Sequence, residues 1–347
     1  MRTVVRVGSA LLILLVVAAG WYGGWPRTSA IDGSDAIAEL TSVDIGGLEQ
    51  WLLIRGDDRS NPVLLWLHGG PGAAQMPVHR AFNRDLEEDF VVVHWDQRGA
   101  GKSNHRGFSE ETMSLDQFVA DVHELTRYLT DRFAQKQIYL LGHSWGALLG
   151  MHVADRHPAH YRAFISVAQP VNARQADSLS HAWLKAQVEA SGSSDKMRDF
   201  ETHGDPPFEE HARYVAFAQM KDRFGGSTDV PMGRLMMPAL RATEYSWLDY
   251  LRWLRGANRG SGPMWEETSR HDLFRQIPRV DVPVLFIAGE KDYNTPTALI
   301  EAYFDALDAP RGKDFIRMEG VAHTPFLGDP KVFREAVLRV KEWEGRG

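Results

Sequence analysis

One pentapeptide constrains this chain more than any other: Gly142-His143-Ser144-Trp145-Gly146. It lies between Ile138–Leu141, which reads as a buried strand, and Ala147–Ala154, which reads as a helix. A strand that passes into a helix through G-x-S-x-G must turn sharply, and the strained turn lifts the Ser side chain above the sheet. Glycine is needed on both sides, because a Cβ there would collide with the neighbouring strand and helix. The pattern therefore demands a sheet with helices packed beside it.

The surrounding sequence has the matching rhythm. Leu48–Arg55, Val63–Leu67, Phe90–Trp95, Phe164–Val167, Val282–Ile287 and Asp314–Met318 read as strands. Leu115–Phe133, with Phe118, Val122, Leu125 and Leu129 at three- or four-residue steps, reads as a helix, as do Pro296–Leu307 and the segment from Pro330. Strands alternating with helices predict βαβ units and a mostly parallel sheet. Between Asn172 and Arg279 the rhythm stops and no strand is evident. Glu244–Arg255 is an amphipathic helix there, with Trp247, Leu248, Leu251 and Leu254 on one face. The expected organisation is an N-terminal segment (1–27), a first core part (40–171), a helical cap (172–279) and a second core part (280–347).

A serine raised on such a turn needs a base, and the base needs an acid to hold it. In this arrangement the chain order is Ser, then Asp or Glu, then His. Asp292, in Gly289-Glu290-Lys291-Asp292, and His323, in Gly320-Val321-Ala322-His323, both follow predicted strands. Carboxyl ends of strands are where an open α/β sheet places its ligand site. Ser144, His323 and Asp292 are therefore the candidate nucleophile, base and orienting acid, with Glu290 as the alternative acid. His143 reads as a packing residue. The candidate oxyanion donors are the amides of Trp145 and of Gly70, in the loop His68-Gly69-Gly70-Pro71-Gly72. Losing one such donor costs roughly 2.7–4 kcal/mol of barrier.

Other patterns carry no chemistry. Gly101-Lys102-Ser103 resembles the end of a phosphate loop, but Asp96 stands where the first glycine is required. His123-Glu124 begins a zinc motif whose second His is replaced by Arg127. His152, His157 and His160 read as a solvated face. No metal and no cofactor is expected. The 347 residues contain no cysteine, which removes thiol nucleophiles, disulfides and thiolate metal sites. A formal charge of −7 gives no electrostatic footprint for nucleic acid.

Arg2 and Arg6 precede an uncharged, mostly apolar stretch from Val7 to Trp25. It meets the length of about 17–25 residues that a spanning helix needs. The reading is a membrane anchor with the body exported, or a cleaved leader, since Ala18-Ala19-Gly20 offers small residues.

Taken together, these residues resemble the α/β-hydrolases, and within them the prolyl aminopeptidase (proline iminopeptidase) group. The resemblance rests on His68–Gly72, on Asp96-Gln97-Arg98-Gly99-Ala100-Gly101-Lys102-Ser103, on Ser-Trp-Gly at the elbow, on Gly289–Pro296 and on the His323 loop. It implies the α/β-hydrolase fold with an inserted helical cap, and removal of an N-terminal residue from short peptides or amides through an acyl-enzyme. It also implies cap glutamates that hold the substrate's free amine. His143 replaces the group's usual second Gly, and no Trp-x-x-Trp-Glu follows Asn172, since Trp265-Glu266 comes too late. Glu189, Glu201, Glu209, Glu210 and Glu244 are the candidate amine-binding residues. The alternatives are a small-ester or lactone hydrolase and a non-catalytic binding protein. The sequence leaves the oligomeric state open.

Overall fold

The computed structural model describes residues 26–343. Eight strands form one sheet in the order β1-β2-β4-β3-β5-β6-β7-β8. These are β1 (Ile37–Ile45), β2 (Leu48–Gly56), β3 (Val63–Leu67), β4 (Val91–Asp96), β5 (Ile138–His143), β6 (Tyr161–Val167), β7 (Val284–Gly289) and β8 (Lys313–Met318). The β1–β2 and β2–β4 pairs are antiparallel, and every later pair is parallel. Strands β3 to β7 are almost wholly buried, as continuous runs such as Val63-Leu64-Leu65-Trp66-Leu67 require when helices cover both faces. The expected α/β sheet is present. β1, whose residues are mostly half-buried, went unread because an antiparallel edge strand lacks that apolar run.

On the faces lie α1 (Met76–Asn83), α2 (Leu115–Arg132), α3 (Trp145–Arg156), α11 (Thr297–Ala306), α12 (Pro325–Gly328) and α13 (Pro330–Leu338). α2 starts where Ser114 accepts a hydrogen bond from the Gln117 amide and buries Phe118, Val122, Leu125 and Leu129. The chain between β6 and β7 is helical: α4 (Ala173–Ala190), α5 (Ser194–His203), α6 (His211–Arg223), α7 (Met232–Arg241), α8 (Trp247–Arg259), α9 (Trp265–Thr268) and α10 (Leu273–Gln276). Leu184, Val188, Phe200, Phe208, Phe217 and Met220 give this region an apolar cluster of its own. The amphipathic helix read at Glu244–Arg255 is α8, which begins later. Ser246 and Asp249 form its capping box, while Glu244 lies outside it, buried and paired with Arg80 at 2.7 Å.

Buried charge locks these layers together. Arg98 Nε and Nη2 donate to the two Asp121 carboxylate oxygens, each at 2.9 Å, joining the loop after β4 to α2. Lys102, rejected above as a phosphate ligand, is buried and donates to Asp249 Oδ2 at 2.9 Å, so the same loop also holds α8. The histidine face needs correction: His152 is buried, and the His123 ring stacks on His157 at 3.9 Å.

Arg98→Ala leaves the Asp121 carboxylate buried without its charge partner. Stability should fall by about 3–5 kcal/mol in urea titrations, the range for breaking a buried pair from one side. A loss below about 1 kcal/mol would show that the pair does not lock loop to helix.

Candidate active site

The elbow forms as the pentapeptide requires. Ser144 directly follows β5 with φ 55° and ψ −121°, one of three non-glycine residues with positive φ in the described chain. Such a conformation costs on the order of 1–3 kcal/mol and persists only where its surroundings impose it. Here they do. A Cβ on Gly142 would lie 2.2 Å from the Gly146 carbonyl oxygen, and one on Gly146 would lie 2.1 Å from that of Leu67. The Ser144 amide donates to the Val167 carbonyl at 2.9 Å, tying the turn to β6.

Ser144, His323 and Asp292 meet in one hydrogen-bonded line. The Ser144 hydroxyl donates to His323 Nε2 at 3.0 Å, and His323 Nδ1 donates to Asp292 Oδ2 at 2.9 Å. Asp292 is buried and accepts three more hydrogen bonds: from the amides of Asn294 at 2.7 Å and Thr295 at 2.9 Å, and from the Thr295 hydroxyl at 2.7 Å. Burial alone would raise its pKa. The adjacent His323 and the Thr295 hydrogen bonds outweigh burial and hold the carboxyl below its ordinary value. Glu290, the alternative acid, is exposed and accepts instead from the Gly320 amide.

His143 does more than pack. Its Nε2 donates to the His323 carbonyl at 2.8 Å, and its ring lies 4.8 Å from that of Phe326. Burial pushes its pKa down to about 3, so it stays neutral. The glycine-rich loop is fastened the same way. His68 Nδ1 donates to the Gly69 carbonyl at 2.7 Å, and His68 Nε2 accepts from the Gln97 amide. Gln97 also donates to the His68 carbonyl and accepts from the Trp145 indole, so it joins this loop to the elbow. Gly70 has φ +119°, and Pro71 and Gly72 follow it as buried residues. Among the described residues, neither the Gly70 amide nor the Trp145 amide has a hydrogen-bond acceptor. Both residues line the cavity at Ser144.

That cavity measures about 110 Å³, and the helical insertion supplies one side of its lining. α4 contributes Ala173, Ala176 and Asp177; Tyr214 of α6, Ser261 and Trp265 complete that side. Burial raises the Asp177 pKa to about 6, with Lys221 pulling the other way. Of the glutamates proposed to hold an amine, none lines this cavity: Glu189, Glu201, Glu209 and Glu210 are exposed, and Glu244 is paired with Arg80. Asp177 was missed because only glutamates were considered. The signal was available, since Ala173, Ala176, Asp177 and Ser180 follow helical spacing on one face of α4. Ser180 donates to the Tyr293 carbonyl, which turns that face toward the Asp292 loop.

Asp229 was also missed. Its carboxylate accepts from the amides of Ala322 and Thr324, on either side of His323. The His323 amide itself donates to the Ser227 carbonyl at 3.0 Å. The segment between α6 and α7 therefore holds the His323 loop from the cap side. Nothing in the sequence around Asp229 marks it, because the partners lie 93 and 95 residues away.

The expected N-terminal segment, 1–27, lies outside the described residues except for Pro26 and Arg27. Among the described residues no helix is long and apolar enough to cross a membrane, and no cluster of His, Asp and Glu could hold a metal ion.

Comparison with known proteins agrees with this fold. A family model described as alpha/beta hydrolase fold matches residues 62–330. The "Probable aminopeptidase YbaC" of Bacillus subtilis (strain 168) is 31% identical over 309 residues, 88% of this chain and 96% of that protein. The proline iminopeptidase of Lactobacillus delbrueckii subsp. lactis is 26% identical over 298 residues, 84% and 93% of the two chains. The solved proline iminopeptidase of Mycobacterium smegmatis superposes with a TM-score of 0.65 at 21% identity, covering 88% of this chain and 98% of that one.

The His68 hydrogen bonds and its pKa, lowered to about 4 by burial, fix a neutral ring protonated on Nδ1. Long-range ¹⁵N–¹H spectra should show that tautomer unchanged from pH 8 down to roughly one unit above that value. A charge gained near the ordinary imidazole pKa would contradict the loop geometry.

Proposed function

The chain belongs to the alpha/beta-hydrolase family and is a hydrolase of the prolyl aminopeptidase-like kind, and on that premise we propose that it releases an N-terminal residue from short peptides or amides through an acyl-enzyme on Ser144. The Ser144 hydroxyl gives its proton to His323 Nε2 as Oγ attacks the scissile carbonyl carbon. The carbonyl oxygen takes the negative charge and lies between the Gly70 and Trp145 amides. Asp292 holds His323 Nδ1–H and stabilises the imidazolium that forms. His323 then protonates the leaving amine. Water, deprotonated by the same imidazole, attacks the acyl-enzyme and returns Ser144.

The observation that carries the peptidase reading is the Asp177 carboxylate in the Ser144 cavity. Ester hydrolysis has no use for a half-buried negative charge there, whereas a substrate α-ammonium needs one. The small volume supports a site that admits one residue and its amine. Lys221, which is buried, has its pKa lowered to about 8 by burial, with Asp292, Asp177 and Asp222 opposing. An arriving ammonium would share Asp177 with it. Export of the body is supported by the sequence alone, through the positive flank of the apolar segment.

Four outcomes test this reading. Ser144→Ala should abolish turnover of a prolyl anilide, and Asp292→Asn should lower kcat on the order of 10⁴-fold by favouring the wrong His323 tautomer. Asp177→Asn should raise KM for free-amine substrates by about 10- to 100-fold, the worth of a hydrogen bond to a charged group, and barely affect an N-acylated ester. Equal losses on both substrates would remove Asp177 from amine recognition. With wild-type protein, kcat/KM for the free-amine substrate should fall, relative to the uncharged ester, as pH drops through about 6, where Asp177 becomes protonated and loses its charge. A ratio independent of pH would contradict that role.

A further inference from the structure

Six of the eight large apolar side chains exposed in the described chain sit on two consecutive helices: Met237 and Leu240 on α7, and Trp247, Leu248, Leu251 and Leu254 on α8. They are 43–68% exposed. The stripe on α8 thus faces solvent rather than the core. Its opposite face is fixed inward, through Lys102 to Asp249 and through the Trp253 indole to the Ala74 carbonyl at 2.6 Å. Tyr250 donates to the Ala239 carbonyl and joins α8 to α7. The exposed stripe is therefore held outward by a built scaffold.

The charge around these helices is unlike that of the rest of the chain. Residues 232–260 contain five arginines and two carboxylates in a protein of net charge −7. Both carboxylates are buried and paired, Glu244 with Arg80 and Asp249 with Lys102. Arg234, Arg241 and Arg255 are exposed and have no carboxylate partner among the described residues. Apolar side chains that include a Trp, flanked by unpaired arginines, match the chemistry of the interface of an anionic bilayer.

The position of the chain's start supplies the occupant. The Arg27 amide donates to the Thr243 carbonyl at 2.9 Å, in the loop between α7 and α8. Thr28 and Ser29 are pinned there by Arg55. The apolar sequence Val7–Trp25 thus joins the body at the root of these two helices. A segment of that composition would insert in lipid, and the body would then be tethered with this face against the membrane.

We propose that the exposed face of α7 and α8 is a membrane-docking surface, seated on a bilayer containing anionic lipid and brought to it by the adjoining N-terminal segment. The inference is independent of the reaction assigned to Ser144. The insertion that lines one side of the catalytic cavity would then lie at the lipid interface.

The chain's lack of cysteine makes single spin labels possible. The full chain carrying Leu240→Cys, Leu254→Cys or, as a control on another helix, Val332→Cys would be reconstituted in phosphatidylcholine–phosphatidylglycerol vesicles. Far-ultraviolet circular dichroism would check the fold of each. Oxygen and a water-soluble nickel chelate would then report depth. Labels at 240 and 254 should sit about 5–10 Å below the headgroup boundary, as an interfacial helix does, and the label at 332 should stay aqueous. Replacing Arg234, Arg241 and Arg255 by Gln should return the first two labels toward water. Labels at 240 and 254 as open to nickel as that at 332 would overturn the proposal. So would shielding from both nickel and oxygen, which means that protein covers the face: the chain's own N-terminal segment or a second copy. Unchanged depth in the Gln variant would overturn the role given to anionic lipid.

Discussion

A single strained residue organises the rest of the molecule. Ser144 can hold φ 55° only because β5, β6 and α3 close on it from three sides. Gly142 and Gly146 leave no room for a side chain between them, so the helix starts hard against the strand. That contact presents the Ser144 hydroxyl to His323 and leaves the first amide of α3 without an acceptor among the described residues. One backbone constraint thus sets both the hydroxyl proposed as nucleophile and a helix-terminal amide free to face an anion.

The loops that complete the site are fixed by buried polar contacts rather than by packing alone. Gln97 joins the His68 loop to Trp145, Arg98 joins the following turn to α2, and Lys102 carries the connection on to α8. Tyr245 donates to Asp96 in the same region; burial raises the Asp96 pKa to about 7 against the opposing hydrogen bonds from Tyr245 and Lys102. A short run of sequence, Asp96 to Ser103, therefore sets the position of the insertion over the sheet. From the other direction, Asp229 and Ser227 reach back to the His323 loop. The insertion also helps to hold the His323 loop beneath it.

Much of this was legible in the sequence, and the exceptions have physical reasons. Buried parallel strands announce themselves as apolar runs, and G-x-S-x-G is a local pattern, so β3 to β7 and the elbow were readable. Asp292 and His323 were readable because both follow strands of the same sheet. β1 was not, since its residues alternate without an apolar run. The inward face of α8 could not be inferred from its apolar stripe: a buried Lys102–Asp249 pair, invisible to periodicity, turns the helix the other way. Asp229 owes its role to contacts across the fold, and a single sequence carries no mark of those.

The central claim is that Ser144 becomes covalently acylated by the residue that is released. It is tested most directly by mixing the protein with a proline nitrophenyl ester, quenching in acid within the first turnover, and locating the added mass by peptide mapping. The account predicts a prolyl mass on the peptide containing Ser144, appearing with the burst of nitrophenol and absent in Ser144→Ala. Turnover with no adduct on that peptide, or an adduct on another residue, would contradict it.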